Sequence, residues 1–97
     1  MKKQFSLHAP GKADARVLDS IKHDVRKYVK RERAKPLPEG FAQWEFACKV
    51  GTDAATAEPV ALKEIGRAID VVAATGVPDV HVEIIAVPAQ RAAPPAP

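Results

Sequence analysis

From Asp14 to Ala34 the chain runs without a proline or a glycine, and the apolar side chains in that stretch recur at a single spacing. At 100° per residue, Val17, Leu18, Ile21, Val25, Tyr28 and Val29 fall within an arc of about 120°. A helix with one apolar stripe is held in place by another apolar layer, because its own backbone propensity leaves it marginal in water. The opposite arc, about 180° wide, carries Lys22, Arg33, Arg26, Lys30, His23, Arg16, Lys27 and Arg31, interrupted only by Asp19 and Ser20. The pattern therefore predicts a helix from Asp14, its N-cap, to about Ala34, with a layer beneath it and a basic face above. Two prolines and a glycine in Pro36-Leu37-Pro38-Glu39-Gly40 end it.

The remaining segments supply the layer. Lys3 to His8 alternates, with Phe5 and Leu7 on one side, and reads as a first strand before Pro10-Gly11. Phe41 to Val50 alternates again, placing Trp44, Phe46, Cys48 and Val50 on one face and Gln43, Glu45 and Lys49 on the other. After the polar loop Gly51 to Thr56, the run Glu58 to Leu62 admits two readings. One is a short strand and the other is a first helical turn with Pro59 at its start; the strand is slightly favoured. Leu62, Ile65, Ile69 and Val72 then recur at helical spacing, closed by Gly76 and Pro78. Asp79 to Val87 is the most apolar strand, with Val80, Val82 and Ile84 facing inward. Ile85 and Val87 sit so that both faces would be covered, which suits a strand with neighbours on each edge.

Two helices with one stripe each and strands with mostly one apolar face predict an α+β chain, a two-layer α/β sandwich of βα(ββ)αβ order. Both helices lie on one face of a three- or four-stranded sheet. A ferredoxin-like variant fits that order, although Pro59 suits an edge better than the central third strand which that topology requires. Residues 1–88 form the single domain and the Pro/Ala-rich tail, 89–97, is expected to be disordered. The 97 residues, 46% hydrophobic, suffice for one core without disulfides.

Charge is concentrated on the first helix. Lys22 to Lys35 holds seven Lys or Arg against Asp24 and Glu32, on a chain whose net charge is only +3. One-signed faces concentrate anionic partners, and the expected function is a non-enzymatic binding module contacting phosphates of RNA or DNA. Its site residues are Lys22, His23, Arg26, Lys27, Lys30, Arg31 and Arg33. The competing explanation is a solvated helix, with Lys30, Arg31, Arg33 and Lys35 favoured near the C-terminus by the helix dipole. Membrane insertion is not expected, since the apolar stripe is needed for the core. A second class of function is a protein-interaction or homodimeric module that covers Ile85 and Val87 on the outer sheet face.

Chemistry is harder to find. Cys48, the single cysteine, lies on the Trp44 and Phe46 face and reads as a buried, inert thiol. With no disulfide partner, and no apolar run after MKKQFSLHAPGK, it points to a reducing, cytoplasmic setting. No cofactor or metal is implied, because His8, His23 and His81 show no paired ligand spacing. An enzyme, the third reading, would need His8, His81, Glu45 and Glu83 to converge on the outer sheet face.

The runs IKHDVRKYVKRERAKPLPEG, WEFACKVG, EIGRAID and VEIIAVP resemble a family of short bacterial proteins, a domain of unknown function. The resemblance spans about residues 2 to 88 and implies a complete small protein, with no activity or catalytic residues to carry over.

Overall fold

The computed structural model describes residues 1–89. Four strands and two helices follow the expected order: β1 (Lys2–Ser6), α1 (Asp14–Arg33), β2 (Gln43–Gly51), β3 (Glu58–Val60), a 3-10 turn (Leu62–Glu64) leading into α2 (Ile65–Ala74), and β4 (Asp79–Ala89). The segment with two readings is divided between them. Glu58 to Val60 is a strand and the helical turn begins at Leu62.

All pairings are antiparallel and the sheet order is β1-β4-β2-β3. The third strand is thus an edge, and the central position that a ferredoxin-like sheet gives it is taken by β2 and β4. Backbone geometry supplies the reason. Ala42 donates to the carbonyl of Ala89, and the backbone of Ile84 bonds that of Met1, so odd residues of β4 face β2 and even ones face β1. In the β2–β4 register Lys49 then faces β4 while Cys48 and Val50 face β3. Pro59, opposite Lys49, turns its donor-free nitrogen to the open side, where it interrupts no ladder.

One apolar cluster joins the sheet to both helices. Val17, Ile21, Val25 and Val29 of α1, at a four-residue stride, and Ile65 and Ile69 of α2 meet Phe5, Leu7, Cys48, Val50, Val80, Val82 and Ile84. All the strand members fall on one sheet face, so both helices cover that face and the other is left open. Gly76 closes α2 with φ 82°, a conformation that costs a glycine little. At Gly51 a Cβ would sit 2.6 Å from the Cα of Ala57, so the β2–β3 connection folds back only over a residue without a side chain.

Some expectations shift. His8 lies beyond the end of β1, and the N-cap of α1 is Ala13 rather than Asp14. The Asp14 carboxylate meets His8 Nδ1 at 2.9 Å instead of a backbone amide. β4 runs through Pro88 to Ala89, two residues past the expected end, so the domain takes in one residue assigned to the tail. The disorder expected for the rest of the tail lies outside the described residues. Ile85 and Val87 are not covered: they are 44% and 42% exposed. Both lie on the sheet face opposite the two helices, which no described element covers.

Candidate anion-binding face

The apolar stride that seats α1 also fixes where its charges point. With Val17, Ile21, Val25 and Val29 buried, the basic residues are turned away from the sheet, but they do not share one environment. Lys22 leans over α2, where its Nζ lies 2.7 Å from Asp70 Oδ1. That pair clamps the two helices together and removes Lys22 from the available charge. His23 borders a shallow depression shared with Asp19, Asp24 and Arg26, so its surroundings, and one side of Arg26, are of mixed sign.

Of the seven candidate residues five cations remain, and Arg16, one of the eight on the basic arc but outside that set, is exposed as well. Arg26, Lys27, Lys30, Arg31 and Arg33 are exposed. The ion pairs among the described residues are His8–Asp14, Lys22–Asp70, Lys35–Glu32 and His81–Glu83, and include none of the five. They occupy about 160° of helix circumference over a rise of about 10 Å. The helix dipole accounts for Lys30, Arg31 and Arg33 in the last turn, but Arg26 and Lys27 lie too far upstream to benefit. Two of the five are braced by aromatic rings: Arg31 lies 5.8 Å from the centre of Tyr28, and Arg33 lies 5.4 Å from that of Phe46.

The helix end is tied down separately. Glu32 pairs with Lys35 and accepts a hydrogen bond from the Tyr28 hydroxyl. The Lys35 bond, followed by that of Tyr28, holds its carboxyl below the ordinary range against the opposing effect of burial. Trp44 Nε1 donates to the carbonyl of Lys35 at 2.9 Å, fastening the proline-rich stop to β2. Between α1 and the start of α2 lies an open groove of about 470 Å³. Val25, Val29, Leu62 and Ile65 form its apolar floor, and Arg26, Lys30 and Arg33 line its α1 side.

The four residues that an enzyme would need are dispersed. His8 is engaged by Asp14 at the start of α1, and Glu45 is approached by the Gln43 side chain at 3.4 Å. Only His81 and Glu83 meet, Nε2 to Oε2 at 2.9 Å, with Gln4 Oε1 at 3.0 Å on the other ring nitrogen. Among the described residues no group of three or more His, Cys, Asp or Glu is arranged to hold a metal ion. Cys48 is buried, and burial pushes its thiol above the ordinary value. No described helix is long and apolar enough to cross a membrane.

Sequence patterns placed the basic face correctly but missed what modifies it. Asp70, which takes Lys22, is 48 positions away on another helix, and no local signal links the two. Leu62 and Ile65 read as core residues from their spacing; Ile65 is one, while Leu62, only partly buried, also edges the groove.

Residues 1–94 match a family described as "Family of unknown function (DUF6172)". No curated protein and no solved structure matched the chain.

Proposed function

As the chain belongs to this family of unknown function, which brings no activity with it, we propose from the site alone that the protein is a non-enzymatic module presenting α1 to anionic partners. The partner class is the phosphate backbone of RNA or DNA. The observation that supports this reading is the set of five exposed cations in no ion pair, Arg26, Lys27, Lys30, Arg31 and Arg33. Cations left without carboxylates release the counterions of a phosphate backbone on contact, and that release drives affinity without reading sequence. Lys22 and His23, counted with them on sequence, play lesser parts because of their acidic neighbours. Such a module suits a bacterial cytoplasm, in keeping with the lone buried thiol.

Salt dependence tests the proposal. Fluorescence anisotropy with a labelled duplex and a single-stranded RNA is expected to give log K falling against log salt with a slope of about −4.5 for the duplex and about −3.5 for the single strand. Reversing Arg26, Lys27, Lys30 and Arg31 to Glu abolishes the binding, whereas Lys22→Ala changes it less than about twofold because that charge is already matched. Binding that ignores salt, or survives the fourfold reversal, refutes the reading.

A second reading, self-association through the outer sheet face, is favoured by the exposure of Ile85 and Val87. Pairing two such faces would remove apolar surface from water. Sedimentation velocity is expected to show a dimer that Ile85→Lys converts to monomer, and a monomer at millimolar concentration eliminates it.

A further inference from the structure

One edge of the sheet is left unfinished by its own chain. β3 pairs with β2 only over Cys48 to Val50; after Val60 the chain passes through Ala61, level with Ala47, and turns into the 3-10 helix at Leu62. From Gln43 to Phe46, therefore, β2 pairs with β4 on one side and with no described strand on the other. Trp44 and Phe46 turn their backbone groups to that open side, as Cys48 and Val50 do toward β3. The Phe46 carbonyl is approached by the Cys48 thiol at 3.8 Å, which is a weak donor. Two N–H and two C=O groups thus face outward in strand geometry, and another extended backbone completes such a row. Pro59 closes the outer edge of β3 to this pairing, but β2 contains no proline.

The surfaces beside the edge specify what an added strand carries. A residue opposite Glu45 projects from the outer sheet face, beside an open depression of about 440 Å³ whose exposed lining includes Ala47, Pro59, Ala61 and Ile85. Lys49 and Glu83, cross-strand neighbours, stand at its far end. Glu45 is exposed and belongs to none of the ion pairs among the described residues. A Lys or Arg opposite it lays an aliphatic stem over Ala47 and sets its charge on the carboxylate. Residues opposite Trp44 and Phe46 point to the inner face beside two half-buried rings, where β-branched side chains pack well. A second copy fits the edge poorly. Arg33 lies over Phe46 and the Lys35 carbonyl holds Trp44, so a two-fold axis here would bring together the basic ends of two α1 helices. We propose that the edge from Gln43 to Phe46 takes up an extended segment of a partner protein, antiparallel to β2 and in line with β3. Its Lys or Arg stands opposite Glu45, between two β-branched residues opposite Trp44 and Phe46. None of the five cations of the basic face is needed.

The test uses the whole chain, isotope-labelled for NMR, and a cyclised β-hairpin peptide whose free edge reads Val-Lys-Val, both Val amides pointing outward. Binding is expected to shift the amide signals of Trp44 and Phe46 and to slow their exchange with solvent. N-Methylation of the two outward Val amides removes the donors, keeps the side chains, and weakens binding by about tenfold or more. Replacing the peptide's Lys by Glu weakens it about threefold or more, and Glu45→Lys in the protein recovers that loss. Reversing Arg26, Lys27, Lys30 and Arg31 to Glu does not weaken the hairpin, so loss of this site and loss of phosphate binding are seen separately. Absence of binding, equal binding of the N-methylated hairpin, or a charge swap without recovery overturns the proposal. So does self-association of the free chain that the hairpin blocks, since the edge would then belong to a second copy. The amide shifts and the N-methylated control are read on the unaltered protein, so neither depends on a variant folding.

Discussion

Ile69→Ala is expected to lower the free energy of unfolding by about 2–5 kcal/mol, measured by urea denaturation. Ile69 is fully buried, and with Ile65 it is one of only two buried residues on α2. A helix of 10 residues is too short to persist on its own, so its stability is almost entirely that of its packing. Removing the larger of its contacts to β2 and β4 leaves a cavity that the sheet cannot collapse to fill, because Val50, Val80, Val82 and Ile84 are fixed in a hydrogen-bonded ladder. The loss should be local before it is global. Hydrogen exchange is expected to rise first along Ile65–Ala74, and the Lys22–Asp70 clamp should weaken with it, since Asp70 follows Ile69 directly. Uniform acceleration across α1 and β4 would mean instead that α2 and the sheet unfold as one unit. Phosphate binding is expected to persist at temperatures where the variant remains folded, because none of the five cations belongs to α2.

The difference between α1 and α2 also explains how much of the molecule could be read in advance. α1 is legible because its stripe, its length and its proline-rich stop agree, and each is a local property. The inward side chains of β2 and β4 are legible for the same reason, by alternation. Sheet order is a relation between distant segments, and local pattern reaches it only where a residue forbids a position, as Pro59 forbids a central strand. Lys22 shows the limit for the site. On a helical wheel it is indistinguishable from Arg26, yet one is matched by a carboxylate from α2 and the other is free, a distinction made by the crossing of two helices. His8 and His81 looked equivalent as outer-face histidines, and β1 ends too early for His8 to join that face.

Among the described residues His81 is the one buried polar residue of the outer face, 7% exposed, and its ring is held from both sides. Gln4 Nε2 donates to the carbonyl of Thr52 at 2.8 Å, which turns Gln4 Oε1 toward His81 Nδ1 and makes that nitrogen a donor. On the other side of the ring stands Glu83. The hydrogen bond from His81, with smaller help from the charges of Lys2, His81 and Lys49, holds its carboxyl below the ordinary value of 4.5 although desolvation opposes it. His81 Nε2 lies 2.9 Å from Glu83 Oε2, and Asp53 of the β2–β3 connection, its carboxyl held below the ordinary value chiefly by hydrogen bonds from Thr56, stands nearby. The cluster joins β1, β4 and that connection across the register Gln4↔His81. His81→Ala leaves two acceptors without donors, and is expected to lower stability by about 1–3 kcal/mol near neutral pH. The acid side gives the sign. With the native carboxyl lowered, unfolding takes up a proton, so the contribution of Glu83 is complete above pH 4.5 and lost as pH falls through the native value. In His81→Ala the carboxyl returns toward its ordinary range and much of that acid dependence goes. Urea denaturation from about pH 7 down to about pH 3 should therefore show the gap between wild type and variant narrowing below 4.5. Glu83→Gln, which keeps an acceptor for His81 but has no charge to titrate, should likewise lack the acid-side loss. A gap that stays constant with pH would mean that His81 does not depress Glu83.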